Sequence, residues 1–227
     1  MVGYQEVVEQ IIIEYMNTAQ AWQLVQQDCQ LTALQVEQCQ RYLALLLARN
    51  QQDNLTAIVD ETQAVMDHIY DSLLPATLVP FAQGRGIVDI GSGGGLPGIP
   101  LAIKFPTIPV VLLEVIGKKV NFLQEVVATL ALHNVTVVQM DWRTFTKKTQ
   151  YPASYCCARA SLQTDELLRM FGGASNYRTA TLVYWASATY DVALLHGYDY
   201  TERRYTVGPK ERRLLTVPAP QHKVSNE

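Results

Sequence analysis

The sequence predicts an α/β protein: a mostly parallel sheet with helices in its crossovers, preceded by a helical segment and closed by an antiparallel strand pair. Three observations predict it. From Ile87 onward, short apolar runs rich in β-branched residues alternate with helical stretches, the pattern of parallel strands joined by right-handed crossovers. Five glycines fall within the eight residues Gly91 to Gly98, directly after the first of those runs, which suits a ligand loop between a buried strand and a helix. Before residue 80 the apolar residues recur instead with helical spacing. The chain has 227 residues, 48% of them hydrophobic, enough to bury one sizeable core. The expected organisation is a helical extension over 1–80, a core over 81–217 and a frayed tail over 218–227.

In the extension, Val8, Ile12, Tyr15, Ala19 and Trp22 recur on one face of a first helix. A second begins at Thr32, with Gln35 placed for a capping box, and aligns Val36, Cys39, Leu43 and Leu46. A third follows Asp60, with Val65, Ile69 and Leu73 inward and His68, Asp71 and Ser72 on its other face. The core then reads as strand 87–90, helix 98–104, strand 109–114, helix 118–131, strands 134–139 and 154–159, helix 163–171 and strand 179–186. Strands 198–207 and 211–217 form a hairpin about Gly208-Pro209.

The glycine loop fits an adenosine-containing cofactor, and two kinds compete. From Gly93, through Gly95 and Gly98, the loop spells the dinucleotide fingerprint. Read from Gly91, however, the third glycine position falls on Leu96, and Pro97 sits where a pyrophosphate-binding helix would start. S-adenosylmethionine carries no pyrophosphate and needs no such helix N-terminus. Asp89, before the glycines, can then meet the cationic end of the cofactor, directly or through water. Glu114 ends an apolar strand 23 residues after Gly91, where a carboxylate can accept ribose hydroxyls. Its other reading is a cap on the helix near Gly117.

The net charge is −3, but residues 1–85 hold three basic and ten acidic side chains, while 86–227 hold fifteen and eleven. Arg203, Arg204, Lys210, Arg212 and Arg213 cluster in the last hairpin, a candidate phosphate-binding patch or else a solvated hairpin. The longest strongly apolar run, Leu43 to Ala48, is far short of the roughly 20 residues that cross a bilayer. Four cysteines without C-x-x-C spacing give no disulfide framework or zinc site. These features suit a cytoplasmic protein that does not enter membranes, and we expect a monomer.

The segments Asn54-Leu-Thr-Ala-Ile58, His68-x-x-Asp71-Ser72-Leu73, Asp89 to Ile103, Gly117 to Leu123, Asn134-Val135, Arg159-Ala160 and Glu211-Arg212 together resemble the RsmG (GidB) family of bacterial 16S ribosomal RNA guanine-N7 methyltransferases. The resemblance spans most of the chain. It implies a class I S-adenosylmethionine-dependent methyltransferase fold, Rossmann-like with a mostly parallel seven-stranded sheet, behind an N-terminal helical extension. It implies S-adenosylmethionine as cofactor, and 16S ribosomal RNA or the small ribosomal subunit as partner. Three departures are visible. The family's Lys-Gly after the fifth strand has no basic counterpart in Val183 to Ser187, leaving Arg178 as a neighbour able to substitute. A family Arg-x-Glu aligns with Asp141-Trp142-Arg143, charges reversed, and a Trp-Asn pair is replaced around Arg49-Asn50.

Guanine N7 already carries a free lone pair, so its methylation needs no general base, only in-line placement and exclusion of water. The expected cofactor-binding residues are Asp89, Gly91, Gly93, Gly95, Leu96, Glu114, Trp142, Arg143 and Arg159, with the Trp142 ring against adenine. Arg159 ends the fourth strand, where a guanidinium can position substrate by binding phosphate, guanine O6 or the cofactor carboxylate; its other reading is a salt bridge to Asp89 or Glu114. His68 and Asp71 match a family stretch at the mouth of the site, although a lone helical His is more often structural. With Arg203, Arg204, Arg212 and Arg213 they complete the expected substrate contacts. A catalytically weakened or inactive relative, or a methyltransferase of another substrate, stays open as an alternative.

Overall fold

In the computed structural model, which describes residues 16–159 and 162–220, seven strands form one sheet in the order β3-β2-β1-β4-β5-β7-β6. β1 (Ile87–Ile90), β2 (Val110–Glu114), β3 (Val135–Gln139), β4 (Tyr155–Arg159) and β5 (Thr181–Ser187) run parallel. β6 (Thr201–Val207) and β7 (Lys210–Val217) form the closing hairpin, with β7 antiparallel to β5. β1 and β2 are buried along their whole length, as parallel strands covered on both faces must be. The order reverses between β1 and β4, so a crevice opens beyond their carboxyl ends.

Helices α1 (Thr18–Asp28) and α2 (Ala33–Asp53) both start with capping boxes, from Asn17 with Gln20 and from Thr32 with Gln35. Gln35 also donates to the carbonyls of Ile103 and Lys104, tying α2 to α5 (Gly98–Lys104). The inward face of α1 is Ala21, Trp22 and Val25, and the expected Ala19 is exposed; Val8, Ile12 and Tyr15 lie outside the described residues. α3 (Glu61–Ala64) passes through a π-helical stretch, Val65–Tyr70, into α4 (Asp71–Leu73). The wider turn brings His68, Asp71 and Ser72 inside together with Ile69 and Leu73, so the expected outer face is buried too.

Period-two alternation splits the sheet between two cores. Ile87, Leu112, Cys157, Val183 and Leu214 pack under α1, α2, the α3–α4 helix, α5 and α6 (Gly117–Thr129). Val88, Val111, Cys156, Leu182 and Leu215 face the other way, toward α7 (Trp142–Lys148) and α8 (Thr164–Leu168). The extension therefore shares a continuous core with the sheet. α7 was not expected from the sequence; Asp141 caps it, accepting from Thr144 N. The helix expected over 163–171 is shorter and finishes as a 3-10 turn, Arg169–Phe171.

Candidate functional site

The glycine loop is shaped by two carboxylates. Gly91, Gly93 and Gly95 all take positive φ. At Gly93 the nearest atom to an added Cβ is 3.9 Å away, whereas at Gly95 it would lie 2.6 Å from Ile99 Cγ1. The first glycine supplies a backbone conformation; the second supplies both that and room. Glu114 accepts from Gly93 N at 2.9 Å with Oε2 and from Val115 N and Ile116 N at 2.8 and 2.9 Å with Oε1. It fastens the loop to the end of β2 instead of capping the helix at Gly117. A carboxylate has about four acceptor positions, which leaves one for a ribose hydroxyl.

Asp89 is fully buried, and its Oδ2 accepts from Gly98 N at 3.0 Å. The contact expected with a cofactor is thus screened by the loop itself. Oδ1 has no partner among the described residues, and burial pushes this carboxyl up to about 7. The Gly98 amide that opens α5, where a dinucleotide would need an anion site, is taken by the protein's own carboxylate.

Beyond the ends of β1, β2 and β3 lies a cleft of about 800 Å³, within the usual size of small-molecule sites. Glu114, Asp141, Asp165 and Glu166 line it against two cations, Lys119 and Arg143. Arg143 binds Glu166 with two 2.7 Å hydrogen bonds, and Arg169 adds a third contact at 3.0 Å. Trp142 lies at the cleft but is buried, stacked on Phe145 and donating Nε1–H to the Glu166 carbonyl. Its ring does not present the open face expected for adenine. Val115 and Ile116, more than 40% exposed on the cleft wall, were missed; two apolar residues beyond the last carboxylate of a buried strand were their signal.

A second cleft, of about 470 Å³, opens beyond β4, β5 and β7 against the π-helical stretch. Arg159 lines it and donates Nη1–H to the Asp67 carbonyl at 3.0 Å and to Asp71 Oδ2 at 3.1 Å. Its partner is therefore Asp71, not Asp89 or Glu114. Asp71 Oδ1 accepts from Tyr205 at 2.8 Å and lies 3.9 Å from Arg212, while the Asp71 carbonyl accepts from Trp185 Nε1. Lys210 meets the Asp67 carboxylate. His68 shares a 2.7 Å hydrogen bond with Thr56, itself held by Asn50. Burial first, and then the Arg159 charge, hold His68 down to about 4, so it is neutral at pH 7.

The four hairpin arginines do not form one patch. Neighbours on a strand point to opposite faces, and the register pairs Arg204 with Arg213 and Tyr205 with Arg212. Arg212 reaches the second cleft with Tyr205; Arg213 is buried on the other face, donating to the carbonyls of Ser187 and Tyr190. Arg204 is paired with Glu202 and Glu211, and Arg203 is exposed. Lys210, expected in the patch, lies in the cleft.

The family model GidB, described as rRNA small subunit methyltransferase G, matches residues 35–189. The chain belongs to the GidB family. Relatives named ribosomal RNA small subunit methyltransferase G include one from Chromobacterium violaceum, 50% identical over 125 residues, which are 54% of this chain and 58% of that protein. One from Leuconostoc citreum is 46% identical over 110 residues, 48% of this chain and 46% of that one. The chain spans about half the length of the curated relatives it matches. Among solved structures, the human methyltransferase 10 domain containing protein superposes with a TM-score of 0.55 at 14% identity, covering 80% of this chain and 97% of that one. A mutant of MtNAS in complex with S-adenosylmethionine gives 0.53 at 17% identity, over 96% and 92%. At those identities the likeness shows the fold, that of methyltransferases with a seven-stranded mixed sheet. Among the described residues, no helix is long and apolar enough to cross a membrane.

Proposed function

We propose that the protein binds S-adenosylmethionine in the acidic cleft and methylates N7 of a guanine in 16S ribosomal RNA held at the basic cleft. The observation that carries this reading is the opposite charge of two clefts at one edge of the sheet. Four carboxylates against two cations disfavour a phosphate-bearing cofactor and suit a sulfonium. Asp89, on the Gly98 amide, leaves α5 no anion site for a pyrophosphate. When bound, S-adenosylmethionine supplies an electrophilic methyl group.

The chain's own residues then hold and orient. Glu114 presents its remaining acceptor position to a ribose, and Val115 and Ile116 offer an apolar wall to a base. Arg159 ends β4, the strand beside β1, and lines the basic cleft with Arg212 and Lys210. With His68 neutral, the three cations outnumber Asp67 and Asp71, which suits an RNA phosphate. No general base is needed, because N7 enters with its lone pair free. The target guanine is reached most readily when splayed out of its stack. We place the protein in the cytoplasm, as a monomer acting on free RNA or the small subunit.

Incubation with methyl-labelled S-adenosylmethionine and undermethylated 16S ribosomal RNA, free and in small subunits, tests this. Label recovered as 7-methylguanosine supports it. Bound cofactor with no label in either RNA form would instead favour an inactive relative, a reading that the absence of a cation at Ala186 and Ser187 keeps in view.

A further inference from the structure

The three cations of the basic cleft differ in how firmly they are held. Arg159 is committed inward by the Asp67 carbonyl and the Asp71 carboxylate, and its side chain is 15% exposed. Arg212 leans on Asp71 Oδ1, an atom already accepting from Tyr205. Lys210 is the opposite case. Its side chain is 40% exposed, and its ammonium meets one carboxylate oxygen, Asp67 Oδ2, which also accepts from Gln63 Nε2 at 3.2 Å. The end of β5 adds no cation, since Ala186 and Ser187 stand there. Arg178, expected as the substitute, precedes the start of β5 at Thr181, on the far edge of the sheet, where it donates to the Ser175 carbonyl.

We infer that Lys210 is the phosphate-positioning residue of this cleft: it exchanges Asp67 for an RNA phosphate beside the target nucleotide and thereby fixes the guanine against the Arg159 side. This rests on the RNA methyltransferase function proposed above. The Lys210 side chain is 40% exposed while its Asp67 partner is 7% exposed, so the ammonium is the end free to swing outward, on a flexible four-carbon stem. Gln63 stays on the same Asp67 oxygen when the ammonium leaves. Lys210 also opens β7 directly after the Gly208-Pro209 turn, paired with Val207, and its side chain is the most exposed of the three cations that line the cleft.

The test compares the full chain with Lys210→Gln, Lys210→Arg and Asp67→Asn. It follows RNA affinity across a salt series, KM and kcat for methylation, S-adenosylmethionine affinity and the thermal midpoint. Lys210→Gln should weaken RNA binding about tenfold at low salt and lower the salt slope by about one, raising KM while cofactor affinity stays unchanged. Lys210→Arg should restore most of the loss, and Asp67→Asn, which frees the ammonium, should tighten RNA binding. An active wild type with Lys210→Gln equal to it in RNA affinity and slope would overturn the role of Lys210 alone. Loss of midpoint and cofactor binding together in Lys210→Gln would also overturn it, by showing a structural pair. A wild type that binds cofactor and methylates no RNA would overturn the function underneath and this role with it.

Discussion

Tyr42, on the second helix of the N-terminal extension, donates its hydroxyl hydrogen to the carbonyl oxygen of Gly94 at 2.7 Å, from a fully buried position. One wall of the glycine loop is therefore built by the extension, and the two parts cannot be separated without disturbing the cleft.

Tyr42→Phe should keep the packing and leave the Gly94 carbonyl without its partner, at a cost of about 1–3 kcal/mol. Chemical denaturation checks the stability, and cofactor titration should show a parallel loss of affinity. Removing residues 1–50 should expose the apolar side of the sheet and cause aggregation, seen by light scattering, because these helices are held by packing.

Gly93 and Gly95 should respond differently to alanine. At Gly93 the added carbon meets only Gly91 O at 3.9 Å, so the cost is that of a left-handed residue, roughly 1–2 kcal/mol. Gly95→Ala adds overlap with Ile99 to an unfavourable φ of 101° and should cost more, reducing soluble yield. Equal midpoints for the two variants in a thermal melt would contradict this.

Arg159→Ala should abolish 7-methylguanosine formation while leaving S-adenosylmethionine affinity within about twofold, since misplacement by about 1 Å can cost on the order of a hundredfold in rate. Loss of both together would place Arg159 on the cofactor instead.

Two buried groups act on stability in opposite directions with pH. Asp89 is raised from 3.8 to about 7, so between pH 4 and 7 the folded protein keeps a proton that the unfolded chain has released. Its contribution falls as pH rises through that window. His68 is lowered from 6.5 to about 4; the unfolded chain takes up a proton that the folded one refuses, and its contribution rises with pH over 4 to 6.5. Asp89→Asn should therefore gain stability relative to wild type from pH 4 to 7, on the order of a few kcal/mol. His68→Gln should lose relative stability from pH 4 to 6.5. Urea denaturation at several pH values distinguishes these slopes from a flat difference.

Much of the sheet was legible in the sequence because β1, β2 and β5 are nearly unbroken apolar runs, and the glycine cluster marks where β1 ends. The π-helical turn was not legible: Val65, Ile69 and Leu73 fit ordinary helical spacing, and nothing in their order reveals the extra residue that draws His68 and Asp71 inside. α7 is too short to show periodicity, although its cap at Asp141 was in view. The Arg159–Asp71 pair joins residues 88 apart, beyond any local rule. Strand alternation, with the register set by the Gly208-Pro209 turn, could have separated Arg204 and Arg213 from Arg203 and Arg212. The inward pull of Asp89 needed the structure, since only there does the Gly98 amide meet its carboxylate.

Isothermal titration with S-adenosylmethionine and NAD, in parallel on the wild type and Glu114→Ala, bears most directly on the cofactor site from which everything else follows. S-adenosylmethionine should bind, Glu114→Ala should weaken it by about 1–3 kcal/mol, and NAD should give no measurable heat. Binding of NAD without binding of S-adenosylmethionine would contradict it.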